Sequence, residues 1–385
     1  MKIRYMLLHA YGMGGTIRTV INQAGAMAEA GHDVEIISVV RRRRQPRFDV
    51  DPRVRLTALV DQRRGATADS VARKAWRRVR GRIVPRGEPA AGYFTERVEK
   101  AVIDCVSALD DGVLVTTRPA LNLISARRTP RSVVRVAQEH MNLGTHREPV
   151  RRQIARHYGK LDAVVVLTGT DRADYQRLLP DTPVVRIPNA VGTLGRRLSS
   201  HDNRVVAAAG RLVAQKGFDL LIPAFGKVVR EHRDWRLRIY GTGQKQDELH
   251  ALIEEHGLRE NVALMGQSDR LGEELAQASL YALSSRFEGL PMVMIEAMSH
   301  ALPVVAFDCP TGPADVLTHG IDGLLVPPGD VDAFAEALGR LVADRELRGR
   351  MGAAALETVR GYAPDRVMPM WERLFAGLMS GQREI

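Results

Sequence analysis

Two carboxylates stand eight residues apart in the stretch SSRFEGLPMVMIEAM, at Glu288 and Glu296. Gly289 allows a sharp turn between them, and the fixed φ of Pro291 suits a first helical residue, so a helix is expected over about 292–299. Residues 279–283 read as the end of a buried strand. Glu288 then sits in a turn at the C-terminal edge of a parallel sheet, with Glu296 one to two turns into the next helix; open α/β sheets bind ligands at that edge. Free N–H groups of Leu290, Met292 and Val293 would favour an anion or sugar hydroxyls there. Two cations five residues apart, Arg211 and Lys216, follow a second buried strand and Gly210. A diphosphate held in a closed crevice needs such partners, because unpaired buried charge is prohibitively costly. Arg brings a planar fork and Lys a flexible point charge. Taken singly, each pair reads equally well as solvated surface; together they point to a site.

The frame S-x-x-E-G-x-P-x-x-x-x-E-A-M over Ser285–Met298 resembles the family 4 retaining glycosyltransferases of the GT-B fold, and G-R-x-x-x-x-K-G over Gly210–Gly217 resembles a second motif of that family. The resemblance implies an α/β GT-B fold, two Rossmann-like doubly wound parallel-sheet domains facing a central cleft. It implies that Glu288 lies near the transferred sugar and that Glu296 binds the ribose hydroxyls of a nucleotide-sugar donor. Arg211 and Lys216 would grip the donor diphosphate, assisted by the helix start at Leu290, Pro291 and Met292. Gly14 and Gly15 would touch the diphosphate and sugar, the loop beginning at Gly266 would lie near the base, and His140 would contact the transferred sugar. No metal and no cofactor are implied, the nucleotide-sugar being a co-substrate linked to UDP or GDP. Retention is implied too; with no obvious covalent nucleophile, a front-face attack by the acceptor is expected.

Positioning these groups requires two alternating α/β halves, and 385 residues is too long for one ordinary core. The expected division is an acceptor-side domain over 1–191, a polar linker over 192–203, a nucleotide-sugar domain over 204–362, and a terminal helix over 363–385 that crosses back to the first domain. Strands are expected at 3–8, 34–40, 113–116, 133–137, 163–167 and 184–187, then at 204–209, 237–240, 262–265, 280–283, 304–307 and 324–326. The glycine-rich loop after the first strand, with a helix capped by Thr16, lets backbone approach a phosphate. A dinucleotide fingerprint is incomplete, because Ile17 stands where a third glycine is required. His9, Arg118, Glu139 and His146 are lesser site candidates beside His140. Asp49-Val-Asp51 looks like a metal-binding D-x-D pair but falls among prolines and arginines in an expected loop.

Charge is unevenly spread. Residues 1–190 carry 34 Lys or Arg against 19 Asp or Glu, whereas the remainder carries 22 against 26. Residues 41–86 hold 16 of the cations and read as irregular, apart from a basic amphipathic helix over 69–84 with Val71, Ala75, Val79 and Ile83 on one stripe. That stripe is expected either to dock on an anionic membrane surface or simply to pack on the domain. The basic half points to an anionic cell-envelope polymer or a lipid-linked acceptor. Aromatic residues make up only 5%, and no nucleic-acid-binding module is recognisable, so a nucleic-acid partner is not expected. The two cysteines, Cys105 and Cys309, lie in different halves without metal spacing, which fits a reducing compartment. No run of eighteen apolar residues occurs. A cytoplasmic transferase working at the inner face of the membrane is the expectation; a nucleotide-sugar epimerase of similar architecture and a basic nucleic-acid-binding protein are the alternatives.

Overall fold

The computed structural model describes residues 1–63, 83–191 and 197–381. The chain divides into two compact units, Met1–Ala190 with Val367–Ile385, and Val191–Arg366. Unit 1 is built on β1 (Lys2–Leu7), β2 (Asp33–Arg41), β3 (Arg55–Asp61), β4 (Val113–Thr116), β5 (Val134–Gln138), β6 (Ala163–Val166) and β7 (Val184–Arg186). These form one parallel sheet in the order β3-β2-β1-β4-β5-β6-β7. Unit 2 carries β8 (Val205–Ala209), β9 (Arg236–Tyr240), β10 (Val262–Gly266), β11 (Leu280–Leu283), β12 (Val304–Phe307) and β13 (Gly323–Val326), parallel in the order β10-β9-β8-β11-β12-β13. The inner strands are buried from end to end. A sheet covered by helices on both faces demands such continuous apolar runs.

Strand order is what creates the sites. In each sheet the chain winds outward from its first strand in one direction and then returns to start the other. β1 therefore lies between β2 and β4, and β8 between β9 and β11. The loops leaving β1 and β4, and those leaving β8 and β11, diverge at their C-terminal ends and open a crevice, the switch point of an open α/β sheet.

Helices follow the 3.6-residue pattern. Gly15–Glu29 buries Val20, Ile21, Ala24, Met27 and Ala28 against β1 and β2. Its N-cap is Gly14, with no side-chain cap, so Thr16 is inside the first turn and does not cap it. The helix Pro364–Met379 places Val367, Trp371, Leu374 and Phe375 in one core with Ile3, Tyr5, Val34 and Val113. The last helix thus completes the core of the unit that holds the first strand.

One expected loop is a strand, and one open alternative is decided. Arg55–Asp61 is a strand, β3, where an irregular stretch was expected; only Val60 of it is fully buried. As an edge strand among arginines it carries too little apolar alternation to show in the sequence. Ile83, on the stripe expected either to dock on a membrane or to pack on the domain, does the latter: it is buried in the unit 1 core with Val84, and its N–H donates to Glu99 Oε1 at 2.9 Å. The rest of that basic stripe, 69–82, lies outside the described residues, as do 192–196 of the expected linker. Among the described residues no helix is long and apolar enough to cross a membrane.

Replacing Trp371 with Ala should lower the stability of unit 1 by about 3–5 kcal/mol, the usual range for emptying a large buried aromatic site. Urea unfolding followed by circular dichroism checks this: the earlier of the two transitions should move to lower denaturant. An unmoved midpoint would show that the last helix adds nothing to the unit 1 core.

Candidate functional site

Three loops leaving the C-terminal edge of the unit 2 sheet converge on Glu288. The loop after β8 makes a short 3₁₀ turn, Ala214–Lys216, and then passes through Gly217 at φ 63° into the helix Phe218–Val229. Gly217 is required twice over. Its backbone is left-handed, and an added Cβ would stand 2.0 Å from the Ser284 carbonyl oxygen. That contact lets the loop after β11 lie directly against it. Ser284 Oγ donates to the Lys216 carbonyl at 2.9 Å, the Arg286 N–H donates to the Gln215 carbonyl at 2.8 Å, and the Arg286 guanidinium forks onto Asp219 at 2.8 and 2.6 Å. The loop after β12 closes from the third side, with Thr311 Oγ1 donating to the Glu288 carbonyl at 2.7 Å. Thr311 holds φ 53°, a strained conformation for a β-branched residue, kept here by its neighbours.

The result is a buried ion pair. Lys216 Nζ donates to Glu288 Oε1 at 2.6 Å, and Ser285 Oγ donates to the same oxygen at 2.6 Å. The two side chains are only 17% and 7% exposed, and the methylenes of Lys216 lie over Gly210, where an added Cβ would meet them at 3.0–3.2 Å. The loop from β9, Gly241-Thr242-Gly243, is tied to the same place by the Leu212 N–H donating to the Thr242 carbonyl at 3.0 Å. The Tyr281 hydroxyl is anchored on the Ala209 backbone at 3.2 Å. Burial first, and then the nearby charges of Glu288 and Glu296, raise its phenol well above the usual range.

The sequence-derived residues therefore distribute as follows. Glu288, Lys216 and Glu296 lie around the β8–β11 switch point, Glu296 half-buried on the helix Met292–Met298. Arg211 is exposed on the β8 loop. Gly266 ends β10, at φ 71°, two strands from β8. Pro291 is the N-cap and not the first helical residue, and the Met292 N–H is already taken by the Leu290 carbonyl at 2.8 Å, so Met292 has no free donor to offer. Ser285, Thr311 and the Lys216–Glu288 contact were not foreseen. Ser285 opened the motif frame, but nothing in the frame says that its hydroxyl meets Glu288.

Unit 1 has a site of its own. A cavity of about 440 Å³ opens at the β1–β4 switch point, lined among others by His9, Gly14, Gly15, Tyr93, Arg118, Glu139 and His140. His140 Nε2 is shielded from solvent and has no hydrogen-bond partner among the described residues, and burial pushes its imidazole down to about 4. At neutral pH it is an uncharged group able to exchange one hydrogen bond with a ligand. Behind it, Glu139 Oε1 accepts from Tyr158 Oη at 2.6 Å and Asn122 Nδ2 at 2.8 Å, while Oε2 is 4.0 Å from His146 Nε2. Burial raises the Glu139 carboxyl to about 7, against the pull of those two donors. Arg118 does not face the cavity as a free charge, because Glu88 Oε1 takes its guanidinium at 2.6 Å. Glu88, Tyr93, Asn122 and Tyr158 carried no recognisable signal in the sequence. His146 is fully buried behind Glu139 and not on the cavity wall. Asp51 is engaged by Arg53 at 2.7 Å.

Residues 195–358 match the family described as glycosyl transferases group 1. An exopolysaccharide phosphotransferase of Streptomyces coelicolor is 36% identical over 99% of this chain, which spans only 41% of that protein's length. The amylovoran biosynthesis glycosyltransferase AmsD of Erwinia amylovora is 31% identical, over 60% of this chain and 67% of its own length. Among solved structures, S. aureus TarM in complex with fondaparinux, α-GlcNAc-glycerol and UDP superposes with a TM-score of 0.76 at 17% identity, covering 97% of this chain and 100% of that one.

The raised Glu139 pKa sets a pH dependence. A carboxyl that binds its proton more tightly folded than unfolded contributes stability that is complete below the unfolded value near 4.5 and is lost as pH rises through about 7. Glu139→Gln, which keeps the hydrogen-bond geometry without the charge, should remove that loss, worth roughly 3 kcal/mol at most from pH 5 to 8. Denaturant midpoints of wild type and variant should converge at pH 5 and separate at pH 8, with the variant the more stable; parallel curves would refute the assignment.

Proposed function

The chain belongs to the group 1 glycosyl transferases, with the GT-B fold of two parallel-sheet α/β domains, and from that premise we propose a retaining, metal-independent hexosyltransferase of the family 4 type. Its donor is a sugar linked to UDP or GDP, and its acceptor an anionic envelope polymer or lipid-linked saccharide. The observation that carries the reading is the Lys216–Glu288 pair at the β8–β11 switch point. A lysine held largely buried, with one donor committed to a carboxylate, keeps its other two donors for a ligand oxygen. Arg211, exposed on the same loop, supplies a second cation. Together they meet the charge that develops on the departing diphosphate, in the way a divalent ion would.

In this reading Glu296 takes the ribose hydroxyls and the Gly266 loop lies by the base. Glu288 orders Lys216 and borders the transferred sugar; with Lys216 and Ser285 both donating to Oε1, it is a poor nucleophile. The acceptor hydroxyl therefore attacks from the face the diphosphate leaves: the new glycosidic bond forms as the sugar–phosphate oxygen bond breaks, and the acceptor proton passes to the departing phosphate oxygen. In unit 1, Gly14 and Gly15 approach the diphosphate and sugar, and neutral His140 fixes a sugar hydroxyl from the cavity wall. The printed names of two relatives, one an exopolysaccharide phosphotransferase and one an amylovoran biosynthesis enzyme, and the UDP bound in TarM support the substrate classes.

Lys216→Ala and Glu296→Ala should each weaken nucleotide-sugar binding tenfold or more, about 1.4 kcal/mol or greater. A thermal-shift titration with UDP-glucose and GDP-mannose measures it. Wild-type curves in both variants would sink the reading, and a shift with only one of the two nucleotides would name the base.

A further inference from the structure

The charge in and around the unit 1 cavity does not cancel, and the surplus is positive and local. Inside, the Arg118 guanidinium is matched by the fully buried Glu88 carboxylate at 2.6 Å. Glu139, on the cavity wall, is disfavoured as an anion by burial. Arg118 thus leaves no free charge for a ligand, and Glu139 leaves little below neutral pH. At the mouth the situation is different. β2 ends at Arg41, whose guanidinium folds back to donate to the carbonyls of Arg43 at 3.2 Å and Arg44 at 2.6 Å. The turn of consecutive arginines is thereby fastened to itself, with the Arg41 guanidinium 4.9 Å from the Tyr11 ring centre.

Arg42 reaches a residue of the cavity wall. Its guanidinium stacks 4.3 Å from the ring centre of Tyr93, a lining residue, and its Nε donates to Gln62 Oε1 at 3.0 Å. That leaves its two terminal nitrogens as a preset fork on the rim. Arg43 beside it is exposed. His9, also on the cavity wall, donates from Nδ1 to the Val40 carbonyl at 3.3 Å. Burial first, and then the charges of Arg42 and Arg43, push His9 below the usual imidazole range.

We propose that Arg42, Arg43 and His9 form a phosphate-binding lip on the unit 1 cavity, so that the acceptor is recognised by a phosphate group borne next to the hydroxyl that enters the cavity. This deepens the proposed function, and rests on its acceptor being an anionic envelope polymer or lipid-linked saccharide. The stacked, hydrogen-bonded Arg42 supplies geometry, Arg43 supplies unneutralised charge, and His9 Nε2 accepts from a protonated phosphate or an adjacent hydroxyl. A neutral acceptor would leave the two guanidiniums with water and gain nothing from them.

The test uses the full chain with two matched probe pairs: a synthetic oligo(glycerol phosphate) against uncharged oligoglycerol of equal length, and phosphatidylglycerol against phosphatidylcholine vesicles. The phosphate-bearing member of at least one pair should bind tenfold or more tightly than its neutral partner at low salt, with affinity falling as salt rises. Arg43→Ser should remove several-fold of that preference and Arg42→Ser/Arg43→Ser nearly all of it, with thermal midpoints and UDP-glucose affinity unchanged. Preference for the oligomer assigns the phosphate to a soluble polymer, and preference for the vesicle assigns it to a lipid headgroup. Equal binding within both pairs, or a preference that survives the double substitution, overturns the proposal. So does loss of UDP-glucose affinity in Arg43→Ser, since the arginines would then serve the donor. Failure of the transferase reading itself looks different: wild type would bind no nucleotide-sugar yet still discriminate the phosphate probes.

Discussion

Burying a lysine against a glutamate is expensive unless the pair is held in good geometry, and the loops of unit 2 are organised to hold it. The pair needs Ser285 on the same carboxylate oxygen, Thr311 on the Glu288 carbonyl, Ser284 on the Lys216 carbonyl and a glycine at 217 to let the loops touch. Removing Ser285 takes a partner from the Glu288 carboxylate, and the other three tie the loops after β8, β11 and β12 together around the pair. The strain at Thr311 is one cost of that arrangement.

Unit 1 handles charge in the opposite way. Its cavity cancels or suppresses the ionised groups within, by pairing Arg118 with Glu88 and by placing Glu139 where burial outweighs two hydrogen bonds. His140 is held neutral by the same desolvation. The positive charge is displaced to the rim, onto the arginines that end β2. One unit thus concentrates a buried cation at its switch point, whereas the other keeps its interior uncharged and its lip basic.

The parallel strands were legible because each is a short run of Val, Ile, Leu and Ala between turn residues, a pattern that survives without knowledge of its neighbours. β3 was not, because an edge strand buries one residue fully and its sequence, RLTALVD, sits among arginines that dominate the local composition. Glu288, Glu296, Arg211 and Lys216 stood out by type and spacing. Ser285 and Thr311 did not, since a hydroxyl gains its role only from what the fold brings within hydrogen-bonding distance. Tyr93 and Glu88 were hidden for the same reason, in a stretch that looked featureless.

By itself the sequence determined the alternation of strand and helix, the division into two α/β halves, and the presence of carboxylates and cations at strand ends, because these depend on local periodicity and residue type. Tertiary structure alone decided the strand order that places β8 beside β11, and with it the meeting of Lys216 and Glu288 across 72 residues of chain. It also decided how the carboxylates of unit 1 are held, since the burial that raises the Glu139 carboxyl and the pairing of Glu88 with Arg118 are properties of surroundings assembled from distant segments. Spacing along a chain fixes what a residue is next to in sequence; only the packed sheet fixes what it is next to in space, and electrostatic energy is set by the latter.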